Sequence, residues 1–281
     1  MDGVSQTAIF AAQVRAAHAV LDRDPIFEDA YAMVLADASE EEIRALFDLI
    51  PPECARVARV LPNQRARFVD GEVDQAVRGG IDQYVILGAG LDSFAWRRTD
   101  LMSDLELFEV DHPTTQQWKR QRMSVAGLSH PTNVHFVGMD FEAHESLSAR
   151  LSQSGFDQRR PSIWSWMGVA VYLGVDAITS MLRDAAELAA SGSRFLGSYT
   201  VPPDLMDAES REFADLARAA SAESGEDHVS AFAPEEIEVI VNRAGWHNTR
   251  SVDPSSFEGW FSQRDDGLAP ASYEWLFVAE K

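Results

Sequence analysis

The chain has 281 residues, with 45 acidic and 24 basic side chains, so its formal net charge is −21 at pH 7. A field of this sign repels nucleic acid and anionic membranes, and an acidic substrate would need a local cationic pocket. The single cysteine, Cys54, excludes a disulfide framework and a thiolate metal site. The seven histidines are scattered without paired spacing, so no metal site is predicted.

The sequence also bears on where the protein acts. Residues 1–5 lack the basic and then apolar stretch of a signal peptide. No apolar run approaches the length of a membrane span. We therefore expect a cytoplasmic protein with no membrane partner. The oligomeric state stays open.

The first 80 residues are predicted to be helical. Apolar residues recur there at helical spacing, as in the stretch after Ser39, and no strand pattern is present. Within one domain over 1–281, residues 1–80 are interpreted as an N-terminal helical cap and 82–281 as an α/β core. Arg15 lies on the first predicted helix, where it could reach over a substrate site as part of a lid. A solvated helix face is the equally open alternative.

The segment that starts at Tyr84 is the most informative in the chain. Tyr84 to Leu87 are apolar or aromatic and predict a buried strand. Gly88 and Gly90 follow at once, and they allow a sharp turn and a close approach to a ligand. A strand that leads into Gly-x-Gly is typical of the nucleotide-binding edge of a doubly wound α/β sheet. A plain loop with no ligand is the structural alternative.

The residues after the turn favour a particular ligand. A dinucleotide fingerprint has a third glycine where Ser93 stands, and Asp92 adds a carboxylate that a pyrophosphate would not favour. A ligand with an amine and a cationic centre suits this turn better. S-adenosylmethionine has both and carries no phosphate.

The next two predicted strands each end in an acid. Asp111 follows the strand Leu105–Val110, at the distance where a carboxylate binds ribose hydroxyls. His112 borders the same strand end and could contact the cofactor or act as a base. Asp140 and Phe141 follow the strand predicted over residues 134–137 and could hold an adenine amino group and ring. The alternatives are a helix start for each acid, a core position for Phe141 and a structural role for His112.

The rest of the chain alternates strands with helices and ends differently. Further strands are predicted at Ser162–Trp166 and Arg194–Tyr199, which indicates a parallel sheet. A helix at Pro234–Ala244 precedes two β-like segments, His247–Val252 and Tyr273–Ala279, which can close the sheet with one antiparallel strand. The polar stretch Ser221–Asp227 is expected to be a surface loop.

Several segments together resemble the bacterial branch of the leucine carboxyl methyltransferase family, class I S-adenosylmethionine-dependent enzymes. The resemblance runs from about Thr7 to the C-terminus and rests on these segments: Arg65–Asp70, Val85–Asp92, Phe108–Pro113 with Lys119, Gly168–Leu173 and Phe232–Glu236. It implies a doubly wound, mostly parallel seven-stranded sheet of Rossmann-like type under the helical cap. The implied activity is O-methylation of a small-molecule carboxylate, phenol or hydroxyl in secondary metabolism, by direct in-line transfer.

The resemblance also implies roles for individual residues. It places Arg65, or alternatively Arg67, on the methionine carboxylate, with Gly88 and Gly90 along the methionine portion. Asp111 is implied to hold the ribose, and Asp140 with Phe141 the adenine. Met167 departs from the family pattern, because many relatives carry a glutamate immediately before the glycine at 168.

Four side chains are candidates to face the substrate: Arg15, Tyr172, Tyr199 and His228. Both tyrosines follow predicted strands, and His228 could act as a base, although a core or structural position is the alternative for each. Two other functions stay open. A nicotinamide-dependent oxidoreductase fits the glycine turn and strand-end acid but is disfavoured by Ser93. A cofactor-binding protein without catalysis is suggested by Met167.

Overall fold

The computed structural model describes residues 4–141, 145–224 and 227–281. Four helices precede the first strand in the described ranges: α1 (Gln6–Leu21), α2 (Ala32–Ala36), α3 (Glu40–Asp48) and α4 (Pro52–Arg78). The predicted start at Ser39 is confirmed, because the Ser39 hydroxyl accepts from the Glu42 N–H at 3.2 Å and the Glu42 carboxylate accepts from the Ser39 N–H at 2.8 Å. This reciprocal capping satisfies two backbone donors at the start of α3.

The strands form one sheet of seven in the described ranges. They are β1 (Gln83–Leu87), β2 (Glu106–Asp111), β3 (Val134–Gly138), β4 (Ile163–Trp166), β5 (Arg194–Thr200), β6 (His247–Val252) and β7 (Glu274–Glu280). Each boundary lies within one residue of the prediction from sequence. The remaining helices are α5 (Phe94–Arg97), α6 (Pro113–Val125), α7 (Leu147–Gln153), α8 (Val175–Leu188), α9 (Ala208–Ser224) and α10 (Pro234–Arg243).

The strand order is β3-β2-β1-β4-β5-β7-β6, and β1 to β5 pair in parallel. β7 lies antiparallel between β5 and β6, so the prediction of one closing antiparallel strand is confirmed. The predicted fold class, a doubly wound and mostly parallel seven-stranded sheet, is likewise confirmed. The order reverses between β1 and β4, and ligands of such sheets bind outside the carboxyl ends of the strands at this point.

The helices before β1 pack over the sheet and on one another. The main core joins the sheet to its flanking helices, and a smaller apolar cluster lies among α1, α3 and α4. The α4 helix also packs along α9. The loop expected over Ser221–Asp227 is wrong in its first part, because α9 continues to Ser224, and residues 225–226 lie outside the described ranges. None of the helices in the described ranges has the length and apolar character needed to span a membrane.

Candidate functional site

The glycine turn after β1 lies at the switch point of the sheet. Gly88 and Gly90 have φ values of +65° and +50°, which side chains other than glycine rarely adopt. A Cβ on Gly88 would lie 2.7 Å from Val169 Cγ2, so the segment after β4 also closes against this turn. Asp92 accepts a hydrogen bond from the Phe94 N–H at 2.6 Å and thereby orders the start of α5.

Asp111 lies beside this turn, as its predicted role requires. Its Oδ2 accepts from the Gly90 N–H at 2.6 Å, and its Oδ1 accepts from the His112 N–H at 2.7 Å. Burial raises the pKa of Asp111 above its ordinary value, against the lowering effect of these two backbone donors. The carboxylate is therefore held in one orientation at the end of β2, with further lone pairs for ligand hydroxyls.

The other predicted residues on this side divide into two groups. The Met139 N–H donates to the Asp111 carbonyl at 2.9 Å, so Asp140 and Phe141 follow directly beside the end of β2. Phe141 packs partly buried against the core. His112 instead caps α6, with its Nδ1 2.7 Å from the Thr114 hydroxyl, which is the structural alternative for this residue.

Arg15 reaches the glycine turn from α1. Its Nη2 donates to the Leu91 carbonyl at 2.6 Å and its Nε to Asp29 Oδ2 at 2.9 Å. The alternative of a solvated helix face is wrong, because the side chain is only 12% exposed. Ala8, about two turns earlier on α1, lies against Gly90. The first helix therefore covers the turn, and Arg15 fastens it there.

The two arginines that the sequence left open lie in different surroundings. Arg65 Nη1 donates to Glu274 Oε2 at 2.6 Å, and a Cβ on Gly168 would lie 2.7 Å from the same nitrogen. Arg67 instead donates to the Ile26 carbonyl at 2.9 Å and stacks over Trp260 at 4.5 Å. Only Arg65 therefore lies against the segment that follows β4.

An aromatic cluster continues from this point along the carboxyl edge of the sheet. The His228 Nδ1 lies 2.9 Å from the Tyr273 hydroxyl, and the His228 ring meets the Tyr172 ring edge at 5.3 Å. Phe213 of α9 packs on Tyr273 at 5.2 Å. Burial lowers the pKa of His228, so its imidazole is neutral at pH 7. Tyr172 and His228, two of the candidates, thus come together.

Tyr199 lies apart from this cluster. It is 1% exposed, packs against Phe277 and donates to the Ser251 hydroxyl at 2.9 Å. Burial raises its pKa well above the ordinary value for tyrosine. These contacts match the core alternative that the sequence offered for this residue.

A buried ion pair lies on the strand that carries Asp111. Lys119 Nζ donates to Glu109 Oε2 at 2.6 Å, and both side chains are almost fully buried. The ammonium also lies 5.6 Å from the Trp96 ring centre. Glu109 lies two residues before Asp111 on β2, and Lys119 lies on α6. The pair therefore fixes α6 to β2 close to Asp111. The sequence showed Lys119 only as part of the family pattern.

Sequence reasoning missed Glu274, Tyr273 and Asp29. Glu274 and Tyr273 stood at the start of a β-like segment, where a single charge and an aromatic carry no periodic signal. Asp29 follows no predicted strand and is 3% exposed. Its partner Arg15 was a candidate, so a search for a carboxylate that could pair with this arginine would have been the one way to find Asp29. In the described ranges no cluster of three or more His, Cys, Asp or Glu residues could hold a metal ion.

The residues around the turn fit S-adenosylmethionine in chemical type. A carboxylate, Asp111, lies on the β2 side and suits ribose hydroxyls. A guanidinium, Arg65, lies on the β4 side and suits the methionine carboxylate. The glycine turn between them lets a ligand approach the backbone closely.

Comparison with known proteins agrees with the fold. The family model described as Leucine carboxyl methyltransferase matches residues 8–186. A Bacillus subtilis protein named "Putative S-adenosyl-L-methionine-dependent methyltransferase YktD" is 30% identical over 289 residues, covering 94% of each chain. A Frankia alni protein of the same printed class is 32% identical, covering 68% of this chain and 67% of the relative. The crystal structure of a Thermobifida fusca protein has a TM-score of 0.61 at 18% identity, covering 95% of this chain and 94% of that one.

Sheet order, glycine turn and strand-end acids define a class I methyltransferase, an enzyme that uses S-adenosylmethionine as its cofactor. The chain belongs to the leucine carboxyl methyltransferase family. The family resemblance that the sequence motifs indicated is thereby confirmed. The family assignment also sets aside the alternative of a nicotinamide-dependent oxidoreductase, which the Gly-x-Gly turn alone had left open.

Proposed function

We propose that this enzyme transfers a methyl group to an oxygen of a small acidic or phenolic metabolite, with a carboxylate as the foremost acceptor. One observation carries the proposal: the carboxyl edge beyond Gly168 is lined by Tyr172, Tyr273, Phe213 and the neutral imidazole of His228. Rings of this kind suit the flat apolar body of a small molecule. The family match supports methyl transfer to oxygen, and the secondary-metabolite setting is part of the same proposal.

The net charge adds a constraint on recognition. A protein at −21 does not attract an anionic substrate by its long-range field. Recognition of an acid must then be short-range, through the sulfonium charge of the cofactor and a nearby cation. Arg15 is still proposed as a substrate-facing residue, although its Nε and Nη2 already donate hydrogen bonds to Asp29 and to the Leu91 carbonyl.

The cofactor would be held by residues from helix α4 and from the ends of strands β2 and β3. Arg65 would bind the methionine carboxylate, Asp111 the ribose hydroxyls, and Asp140 with Phe141 the adenine. His112 would contribute through its position at the start of α6. When bound, S-adenosylmethionine supplies an electrophilic methyl group on a sulfonium.

The protein's own contribution to the reaction is to position and enclose the reactants. The cap helix α1 lies over Gly90 and is fastened by Arg15, and with the cofactor bound this cover would exclude water from the reacting atoms. Aromatic contacts at Tyr172 and Tyr273 would hold the acceptor so that its oxygen lies in line with the methyl group. An ionised carboxylate needs no proton removed, so this acceptor requires no general base.

The ribose assignment predicts a measurable loss of affinity. Asp111→Ala should weaken binding of S-adenosylmethionine by about 1–3 kcal/mol, because a charge-assisted acceptor for the ribose is lost. Isothermal calorimetry measures this directly. The matched control is Glu106→Ala, which removes an exposed acid from the opposite end of the same strand and should leave the affinity unchanged. Unchanged affinity in Asp111→Ala would remove the ribose assignment.

The pH profile distinguishes the two acceptor types. With a carboxylate acceptor we expect a rate that is nearly flat between about pH 6 and 9, because the nucleophile stays ionised throughout. A phenol that relies on His228 would instead react faster as the pH rises through the lowered pKa of this imidazole. His228→Gln should abolish that rise for a phenol and leave a carboxylate profile as it was.

The acceptor itself is found by screening free acids and phenols with cofactor labelled on the methyl group. Label recovered as a methyl ester supports the proposal, and label recovered as a methyl ether selects the phenolic or hydroxyl form. Label on nitrogen or carbon, with none on oxygen, would overturn it. Binding of the cofactor without transfer to any acceptor, even in a single turnover, would instead support a cofactor-binding protein without catalysis.

A further inference from the structure

Glu274 is a buried acid that lies beside the proposed cofactor site, and the proposed function gives it no contact with cofactor or acceptor. It is the first residue of β7 and pairs with Thr200, the last residue of β5. Its carboxylate binds Arg65 Nη1 at 2.6 Å, and the two side chains are 4% and 16% exposed. Removing two charges from water costs about as much as their attraction returns, so a buried ion pair is weak evidence of a purely stabilising role.

The position of the pair connects it to the glycine turn. The Arg65 guanidinium occupies the space where a side chain on Gly168 would lie. The Gly168 N–H is fixed by the Ser198 hydroxyl at 2.8 Å, and the next residue, Val169, lies against Gly88. The ion pair, the end of β4 and the glycine turn are therefore contiguous.

The methionine end of the cofactor carries a carboxylate and an α-ammonium on one carbon. Arg65 complements the first, whereas the ammonium needs an acceptor close to Arg65. At the end of β4 the chain offers an apolar side chain, Met167, followed by Gly168. Glu274 brings a carboxylate to the same place from a different strand.

We propose that Glu274 binds the α-ammonium group of the cofactor while Arg65 binds its carboxylate, so that the ion pair forms a clamp for a zwitterion. The two carboxylates, the guanidinium and the ammonium would then alternate in sign, so that each charge lies beside one of opposite sign. This inference rests on the assignment of Arg65 under the proposed function, and it concerns cofactor binding alone.

The test uses the whole enzyme, calorimetry and four ligands that differ only at the amino-acid end. These are S-adenosylhomocysteine, its deaminated analogue, its decarboxylated analogue and methylthioadenosine, which lacks both groups. Glu274→Gln should weaken S-adenosylhomocysteine and the decarboxylated analogue by about 10–100-fold, since both carry the amine. It should change the affinity for the other two ligands less than about threefold. Arg65→Ala should instead weaken binding of the two ligands that carry the carboxylate, which are S-adenosylhomocysteine and its deaminated analogue.

Two controls keep the result interpretable. Glu280→Gln removes an exposed acid at the far end of β7 and should change no affinity. If the glutamine variant fails to fold, Glu274→Asp replaces it in the test. This substitution keeps the charge but shortens its reach, so it should give an intermediate loss of affinity confined to the same two ligands.

Equal losses for all four ligands would overturn the proposal and mark Glu274 as structural. Unchanged affinities for all four ligands in Glu274→Gln would overturn it as well. No acceptor is present in these measurements, so they stand apart from any failure to find the predicted oxygen substrate.

Discussion

Replacing Lys119 with methionine is expected to lower the free energy of unfolding by about 3–5 kcal/mol near pH 8, because the substitution leaves a buried carboxylate without its counter-charge. Lys119 and Glu109 are joined at 2.6 Å in a fully enclosed site. Glu109 Oε1 already lacks a hydrogen-bond partner there. Methionine fills a similar volume, so the loss measures charge rather than packing.

The same substitution should have a characteristic pH dependence. Burial raises the pKa of Glu109 from its ordinary value of 4.5 to about 7, against the lowering effect of the Lys119 ammonium. An acid with a raised folded pKa stabilises the folded state at low pH, and this contribution is lost as the pH rises through the folded pKa. Without Lys119 the pKa of Glu109 rises further. The destabilisation should therefore be smaller near pH 5 than near pH 8, as urea denaturation at the two pH values would show.

The control for this experiment is the double variant Glu109→Gln with Lys119→Met. It removes both charges together, so most of the lost stability should return. A single variant that is equally destabilised at both pH values would instead assign the effect to packing around Trp96.

The second large effect is expected at Arg65. Arg65→Ala should weaken S-adenosylmethionine by about 10–100-fold, because a charged donor to the methionine carboxylate is lost. The guanidinium lies against Gly168, next to the segment that closes on the glycine turn. Methylthioadenosine, which has no carboxylate, should bind nearly as before. Equilibrium binding of both ligands to the same variant gives the comparison.

Arg67→Ala is the matched control for this prediction. Arg67 contacts the Ile26 carbonyl and Trp260, so its loss should lower stability without selecting between the two ligands. A selective loss in Arg67→Ala, with none in Arg65→Ala, would move the carboxylate role to Arg67. Loss of both ligands alike in Arg65→Ala would mark Arg65 as a structural partner of Glu274.

The sequence by itself determined the fold class and the placement of Asp111 beside the glycine turn. Strand β1, the turn through Gly88 and Gly90, and Asp111 at the end of the next strand follow one another within about one βαβ unit. Contacts inside such a unit are set by short connections and by the right-handed crossover, so spacing along the chain predicts them. The capped start of α3 at Ser39 was equally local.

Position on a helix explains why the sequence could not choose between Arg65 and Arg67. Two residues apart on α4, their side chains leave the helix about 200° apart, so they cannot share one neighbour. Which of them faces the sheet depends on how α4 packs, and that is decided by α1, α9 and β4 together.

Only the tertiary structure brought together the β4 side of the site. Arg65 and Glu274 are 209 residues apart, and Arg15 and Leu91 are 76 apart. Tyr273 meets His228 because β7 inserts antiparallel between β5 and β6, a placement that the strand pattern permits but does not fix. Contacts of this kind depend on the packing of whole elements, whereas periodicity along the chain reports only the element to which a residue belongs. For that reason the position of Asp111 beside the glycine turn could be predicted from the sequence, and the pairing of Arg65 with Glu274 could be seen only in the folded protein.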